Sequence, residues 1–349
     1  MANMLNQQPR WESIDKSEVP LRTAMEEYLT ACRTEGKTVK TLSDYRQKLT
    51  RFVEWHDGEL GGFTLAKARA FVAHLQETPK WSTHTTIQTS SQMLSAQTVA
   101  GHVRALKGLS TWLHEEEYIG DNVLRRLAKP KVPSRVVEVL AEDEVKKLLQ
   151  SLDANTGVGA RDLAILSIFL DSGLRLSELV GLRVQDIHLQ QGWLKVYGKG
   201  DKERIVPFGV RATKVLSRYV TFFRPQDLET DSFFVNIDGG PITQNTIKML
   251  FVRLQQRSGV ERLHPHLMRH TFATNYLMSG GDVFSLQSIL GHTTLEMTRR
   301  YVTLASSHVA IQHRRFSPMD RMNSGGDTGP AIPDSRRAVL SRGGGRRAS

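Results

Sequence analysis

The chain has 349 residues, which is enough for two domains of ordinary size, and its 39% hydrophobic content fits a soluble globular protein. Lys and Arg number 47 against 36 Asp and Glu, so the net charge of +11 favours a polyanionic partner, most simply nucleic acid. The single cysteine, Cys32, excludes an intrachain disulfide, and the apolar runs are too short to cross a bilayer. We therefore expect a cytoplasmic protein with no membrane partner.

The first third of the chain has the apolar spacing of amphipathic helices. Residues 1–19 are polar and are expected to form a flexible N-terminus. Four helices are predicted after it, and the third and fourth begin after the N-cap residues Thr64 and Ser95. Residues 78–94 are rich in Ser and Thr, which predicts a loop. We therefore expect a compact all-helical domain over residues 20–128.

Cationic side chains lie on the polar faces of these predicted helices. The simplest interpretation is a solvated protein surface. The positive net charge makes contact with DNA phosphates a competing interpretation. The residues that we predict to contact DNA are Lys40, Arg46, Lys48, Arg104 and Lys107.

The second domain is predicted to follow a linker at residues 129–139, where two prolines and three cations interrupt any helical periodicity. A run that is apolar on nearly all sides predicts a buried helix, and a shorter helix begins after it at Arg175. The segment WLKVYGKGDKERIVPF alternates in polarity, which predicts a β-hairpin with Lys199 at its tip. Helical patterns continue to residue 316, and the Gly- and Arg-rich residues 317–349 predict a disordered basic tail.

The segment HPHLMRHTFATNYLMSGGDVFSLQSILGHTTLEMTRRY carries the most unusual polar residues of the second domain. His266 and Arg269 are three residues apart, so they share a helix face. Arg269 also continues into an apolar stripe, and a buried guanidinium without a partner is costly. We therefore expect Arg269 to face an anionic group. His292 ends a later helix, and Tyr301 follows nine residues on.

These residue types together suit phosphodiester chemistry. Two arginines can hold the non-bridging oxygens of a phosphate, and histidines can donate hydrogen bonds or move protons. A lysine can give a proton to a leaving alkoxide, and a tyrosine can act as a nucleophile that forms a covalent intermediate. Fixed cations stabilise the negative charge that develops on phosphorus oxygens, so no metal is required.

This set resembles the tyrosine recombinase family, which includes phage integrases and the Xer recombinases. The likeness extends from about residue 20 to residue 316. Six catalytic positions of the family and one acidic neighbour are filled, in order, by residues of four motifs. The motifs are GLRLSEL with Arg175 and Glu178, GKGDKER with Lys199, HPHLMRHTFAT with His266 and Arg269, and LGHTTLEMTRRY with His292 and Tyr301.

The resemblance implies a mainly α fold with a small β-hairpin or sheet, in the α+β class. A helical, SAM-like core-binding domain would precede a catalytic domain at residues 140–316. Tyr301 would attack a DNA phosphate and leave a 3′-phosphotyrosine, while Arg175, Arg269 and His292 hold the phosphate. His266 would assist the proton transfer from the tyrosine, and Lys199 would protonate the leaving 5′-oxygen.

The resemblance also implies the partners and a supporting role for one acidic residue. Glu178 would orient Arg175 rather than react. The substrate would be double-stranded DNA with inverted-repeat core sites, bound by a homotetramer on two duplexes without a cofactor or metal. The predicted helix at residues 305–316 would pass to a neighbouring subunit. The long 78–94 loop and the unmatched tail favour a mobile element, served by integration, excision or resolution, over a chromosome-dimer-resolving Xer role.

Three further hypotheses remain open. A metal hydrolase could use His264, His266, His270 and His292, but their spacing is poor for zinc, because no carboxylate or cysteine lies beside a histidine pair on the same face. A DNA-binding regulator without chemistry would explain the charge, but it leaves Tyr301 without a role. A relaxing topoisomerase would share the chemistry without strand exchange between two sites. For His264 and His270, local hydrogen bonding is the simplest interpretation.

Overall fold

The computed structural model describes residues 16–56, 58–80, 82, 91–133, 137–198, 203–226 and 228–304, together with positions 313, 317 and 319. The chain divides into two compact units, residues 1–134 and 135–349. The division falls inside the segment 129–139. Lys199 and most of the predicted helix at 305–316 lie outside the described residues, and so does most of the predicted 78–94 loop.

Within its described residues, the first unit is built from four α-helices around one apolar core. Local sequence sets where two of these helices begin, because the Thr64 and Ser95 hydroxyls accept hydrogen bonds from backbone N–H groups three residues on. The inward faces of the helices pack Phe52, Phe71 and Leu106 into the core. The helices are α1 (Leu21–Thr34), α2 (Val39–His56), α3 (Leu65–Gln76) and α4 (Ala96–Glu115).

The second unit combines eight α-helices with a small sheet within its described residues. The elements in chain order are α5 (Glu142–Gln150), α6 (Gly157–Ser172), α7 (Leu176–Val180), β1 (Ile187–His188), β2 (Trp193–Tyr197), β3 (Glu203–Pro207), α8 (Val210–Arg218), α9 (Gln244–Ser258), α10 (Pro265–Met278), α11 (Val283–Leu290) and α12 (Leu295–Leu304). A π-helical turn, Tyr219–Phe223, extends α8. Within the described residues, no helix is both long enough and apolar enough to cross a membrane.

The sheet is antiparallel with the strand order β1, β2, β3. The alternating segment predicted the hairpin of β2 and β3, in which Val196 pairs with Arg204. The strand β1 was not predicted, because two residues are too few to show alternation. The predicted fold class, mainly α with a small antiparallel sheet, is confirmed.

Helix α6 forms the centre of the second unit, and it is buried on most sides. It ends at Gly173, which has a left-handed φ of +61° and donates its N–H to the carbonyl of Phe169. Gly173 also packs closely on α10, since a Cβ added there would lie 2.4 Å from Cδ1 of Phe272. The glycine is therefore required both for its backbone angle and for the approach of α10.

Replacing Gly173 by Ala should destabilise the protein more than replacing Gly259 by Ala. Both glycines end helices with positive φ, +61° and +74°, but the Cβ added at Gly259 meets nothing within 4 Å. We expect Gly259→Ala to cost about 1 kcal/mol for the backbone angle. The clash should add about 1–3 kcal/mol to Gly173→Ala. Urea unfolding of both variants measures the difference, and equal losses would contradict the close packing of α6 on α10.

Candidate active site

The C-terminal turn of α11 accepts hydrogen bonds from three arginines that are far apart in the sequence of the second unit. Arg204, Arg269 and Arg175 donate to the carbonyl oxygens of residues 289, 290 and 291 in that order, over 2.8, 2.8 and 3.0 Å. The last carbonyls of a helix have no partner within the helix and lie at the negative end of its dipole. The end of α11 can therefore bind several guanidinium groups.

Glu178 joins two of these arginines. It accepts hydrogen bonds from the Arg175 side chain at 2.7 Å and from the Arg175 backbone N–H at 2.8 Å, so it also caps the start of α7. Arg204 donates to both carboxylate oxygens of Glu178, over 2.8 and 2.9 Å. Burial alone would raise the pKa of Glu178, but the bonds from Arg204 and Arg175 outweigh it and lower the pKa to about 2. The carboxylate is therefore ionised throughout the neutral range.

Arg269 is the most deeply buried of the three arginines, with 4% of its surface exposed. Besides residue 290, it donates to the carbonyl of Gly173 at 2.7 Å, so it joins the ends of α6 and α11. Burial, with a smaller contribution from the Arg175 charge, lowers the pKa of Arg269 to about 10, which still leaves it charged at neutral pH. The burial agrees with the place of Arg269 in an apolar stripe, but the groups that accept its hydrogen bonds are two backbone carbonyls and not the anionic group that the sequence predicted.

The cluster carries an excess of positive charge. Three guanidinium groups against one carboxylate give +3 − 1 = +2. Of its members, Arg175 is the most accessible, with 32% of its side chain exposed against 14% for Arg204. An anion that approaches from solvent would therefore meet Arg175 before the other two.

Tyr301 lies in α12 and is 2% exposed. Its hydroxyl is 2.8 Å from Nδ1 of His270, and its ring is stacked with that of His292 at 6.4 Å and 7°. Burial raises the pKa of Tyr301, and the charge of Arg269 opposes the rise. A neutral His270 can accept the phenolic proton at Nδ1, and the 2.8 Å contact is within reach of such a transfer.

His292 directly follows the arginine-binding turn of α11. Its Nδ1 is 2.9 Å from the Thr298 hydroxyl, which fixes the ring beside Tyr301. Burial, and then the charge of Arg269, lowers the pKa of His292 to about 4. Burial, and then the charge of His266, likewise lowers the pKa of His270 to about 4. Both imidazoles are therefore neutral at pH 7.

Lowering the pH from 7 to 5 should destabilise the folded chain. The folded pKa values of His270 and His292, about 4, lie below the ordinary value of 6.5, so the unfolded state binds more protons in this range. Stability is therefore full above about pH 6.5 and is lost as the pH falls towards 4. Urea midpoints at pH 7 and pH 5 should differ less in a His270→Gln/His292→Gln variant than in the wild type. An equal decrease in both proteins would contradict the buried, neutral state of these rings.

The structure assembles Glu178 and four of the six predicted catalytic residues, and it adds His270 and Arg204, which the sequence analysis had not placed in the active site. Arg175, Arg269, His292 and Tyr301 come together around α11 and α12. His266 is exposed, with its ring 6.5 Å from that of His270. The sequence predicted only local hydrogen bonding for His270, but His270 is the histidine that contacts the Tyr301 hydroxyl. His264 does bond locally, through Nδ1 to the carbonyl of Arg262 at 2.7 Å.

Arg204 is the second residue that sequence reasoning had missed. It is part of the GKGDKER motif, next to the hairpin tip, where only Lys199 had drawn attention. The sequence did contain a signal for Arg204. Arg204 lies two residues before the buried Val206, so both side chains are on the same face of β3. An arginine on the inner face of a strand requires a partner, and that requirement could have identified it.

The predicted DNA-contacting residues lie in the first unit. Lys40 and Arg104 are exposed, and Arg46 and Lys48 each form an ion pair with a carboxylate one turn or one helix away. Lys107 differs from these four, because its ammonium donates to the carbonyls of residues 125 and 127 at 3.0 and 3.2 Å. The structure therefore gives Lys107 a fold-stabilising contact, and DNA contact stays a prediction for all five.

Comparison with known proteins gives the same family as the motifs. The family model described as the phage integrase family matches residues 138–308. The tyrosine recombinase XerD of Listeria monocytogenes serotype 4b (strain F2365) is 31% identical over 293 residues, covering 81% of this chain and 94% of the relative. The chain belongs to the tyrosine recombinase family. It is therefore a tyrosine-type site-specific recombinase, an enzyme that breaks and rejoins DNA.

Solved structures of tyrosine recombinases share the fold. The structure of XerH bound to the palindromic difH substrate, a post-cleavage complex, aligns with a TM-score of 0.63 and 21% identity over 88% of this chain and 92% of that one. The structure of a lambda integrase tetramer bound to a Holliday junction aligns with a TM-score of 0.61 and 19% identity, over 83% of this chain and 82% of that one. The helical unit followed by an integrase-type unit is thus the arrangement of this recombinase family.

Proposed function

We propose that this recombinase cuts and rejoins DNA through a 3′-phosphotyrosine at Tyr301 and that it serves a mobile element. The observation that carries the chemistry is the contact of the Tyr301 hydroxyl with a neutral His270, beside an arginine cluster of net charge +2. A nucleophile, a base and a fixed positive field are the requirements for attack on a phosphodiester.

The residue roles follow from where each group lies. Arg175 and Arg269 bind the non-bridging oxygens of the scissile phosphate, since their second N–H groups remain after the bonds to carbonyls and Glu178 are made. His292 donates to the same phosphate. His270 accepts the proton of Tyr301, and the exposed His266, one helical turn away, passes it towards solvent.

Two bonds change in each transfer step. The Tyr301 oxygen forms a bond to phosphorus while the bond from phosphorus to the 5′-oxygen breaks. The leaving 5′-oxygen takes a proton. We assign Lys199 as the proton donor because of its place in the GKGDKER motif. Attack by the 5′-hydroxyl of a partner strand reverses these changes and frees Tyr301. The bond energy stays in the covalent link, so the cycle consumes no cofactor.

The assembly is proposed to be a homotetramer on two duplexes with inverted-repeat core sites. The lambda integrase relative is a tetramer on a Holliday junction, and the XerH relative binds a palindromic site. The exposed cations Lys40 and Arg104 of the first unit would add phosphate contacts. Exchange of the segment 305–316 between subunits belongs to the same proposal.

The alternative biological role is that of an Xer recombinase acting on a chromosomal site. The match to XerD over 94% of that relative favours this alternative. The long polar segment 78–94 and the basic tail 317–349 favour the mobile element.

A single experiment tests both the chemistry and the role. Sheared host DNA is incubated with the protein in EDTA, protein-linked fragments are isolated under denaturing conditions, and the DNA in them is sequenced. Fragments that flank the protein's own gene support the mobile element, whereas one distant chromosomal locus supports the Xer role. Recovery of no linked DNA, when non-covalent binding is intact, would contradict the phosphotyrosine proposal.

A further inference from the structure

Arg204 makes three hydrogen bonds, all of them to groups of the active-site cluster. Its two terminal nitrogens bind the two oxygens of Glu178, over 2.8 and 2.9 Å, and its Nε binds the carbonyl of Ile289 at 2.8 Å. Its side chain is 14% exposed, so the bonds are largely shielded from water. Three hydrogen bonds in the plane of one guanidinium fix both the position and the orientation of the carboxylate.

The end of α11 is shaped to admit this guanidinium. Gly291 has a φ of +62°, and a Cβ added there would lie 2.9 Å from Nη1 of Arg204 and 3.0 Å from its Cζ. The guanidinium therefore lies directly against the glycine, and a Cβ at this position would have to displace it. The neighbouring carbonyl of Gly291 accepts the hydrogen bond from Arg175.

Arg204 thus fixes both partners of Arg175. The Arg175 side chain has two bonds, one to Glu178 and one to the carbonyl of residue 291. Arg204 binds Glu178 directly. It also binds the carbonyl of residue 289, which lies on the same helix turn as the carbonyl of residue 291 and so restrains the position of that turn. If Arg204 were absent, Glu178 would keep the Arg175 contacts alone in a site where it is 5% exposed.

We propose that Arg204 is a positioning residue for DNA cleavage, which holds Glu178 and the end of α11 so that Arg175 meets the scissile phosphate in one fixed orientation. The proposal rests on the proposed phosphate-binding role of Arg175. Arg204 itself makes no contact with the phosphate. Because it belongs to β3, it also connects the hairpin to the arginine cluster.

The first test measures Arg175 in the full-length protein without DNA. The order parameter of its Nε–H bond, measured by ¹⁵N relaxation, should be above about 0.8 in the wild type and below about 0.6 in Arg204→Gln. The matched control is Lys195→Gln, which removes a cation from the outer face of the same hairpin, where Lys195 pairs with Glu203. The control should keep the wild-type value for Arg175. An unchanged order parameter in Arg204→Gln would overturn the proposal.

The second test measures the rate of covalent-adduct formation on the cleavage site recovered by the sequencing experiment. Residues that orient metal ligands by hydrogen bonds typically contribute about 10- to 100-fold, and by analogy we expect a loss of that size in Arg204→Gln and none in Lys195→Gln. Glu178→Gln/Arg204→Gln should lose no more than the worse single variant, because both changes interrupt the same path to Arg175. Additive losses would mean that Arg204 acts by another route, and they would overturn the proposal.

The pH profile separates positioning from general loss of structure. Removing Arg204 removes a bond that lowers the pKa of Glu178, so this pKa must rise. The Arg204→Gln rate should then fall at acidic pH more steeply than the rates of the wild type and Lys195→Gln. A parallel profile would count against the proposal.

A variant with retained charge covers the case in which Arg204→Gln fails to fold. Arg204→Lys keeps the charge but cannot make the forked pair with Glu178, so its order parameter and rate should lie between those of the wild type and the glutamine variant. Wild-type values for both quantities would overturn the proposal. If even the wild type forms no adduct, the proposed phosphotyrosine function fails, and the order parameter alone decides the role of Arg204.

Discussion

Tyr301→Phe should abolish covalent attachment to DNA while leaving DNA binding intact. We expect the adduct rate to fall by at least about 10⁴-fold, because the variant lacks the nucleophilic oxygen and nothing replaces it. The phenylalanine ring fills the same buried space beside His292, so the site should keep its shape. A denaturing gel measures the adduct, and a mobility shift on the same DNA measures binding.

The matched control for this variant is Tyr276→Phe. Tyr276 is a partly buried tyrosine of α10, the helix that carries Arg269 and His270. Its hydroxyl has no proposed role, so the control should form adduct at the wild-type rate. Adduct formation by Tyr301→Phe at more than a few per cent of the control rate would contradict Tyr301 as the nucleophile.

Arg175→Gln should slow adduct formation by about 10²- to 10³-fold, the usual cost of losing one donor to a developing oxyanion. Arg175 is a sharper test than Arg269, because Arg269→Gln would also leave buried carbonyls at the ends of α6 and α11 without donors. After Arg175→Gln, Glu178 still has the forked bond from Arg204, so we expect the fold to survive. Single-turnover cleavage and a urea midpoint measure the two effects separately.

Arg183→Gln is the control for the lost positive charge. Arg183 lies in the same unit, and its side chain is 55% exposed in an ion pair with Asp231 at 3.2 Å. Loss of this distant charge should change the cleavage rate by no more than about threefold, since an exposed charge contributes little at moderate salt. Equal losses for Arg175→Gln and Arg183→Gln would show that only net charge matters, and they would contradict a specific role for the cluster.

The elements of the fold could be predicted where short-range chemistry decides them. The hydroxyls of Thr64 and Ser95 cap α3 and α4 as expected, and the alternation around GKGD gives β2 and β3. Apolar residues on nearly all sides of α6 correctly indicated that it is buried. In each case the information lies within one helix or one pair of strands.

The missed site contacts depend instead on tertiary packing. Arg204 and Glu178 are 26 residues apart, and His270 and Tyr301 are 31 residues apart. No local period links such residues, so the choice between His266 and His270 as the partner of Tyr301 had to await the packing of α12 on α10. The binding of the arginines at the end of α11 likewise could not be predicted from the sequence, because the acceptors are backbone carbonyls, which every residue has.

The most direct test of the account is to identify the amino acid that carries the DNA. The adduct would be digested with nuclease and trypsin, and the peptide that retains a nucleotide would be sequenced by mass spectrometry. We predict a 3′-phosphonucleotide on the tyrosine of YVTLASSHVAIQHR, the peptide that begins at Tyr301. A nucleotide on any other residue, or a 5′-phosphate link to Tyr301, would contradict the account.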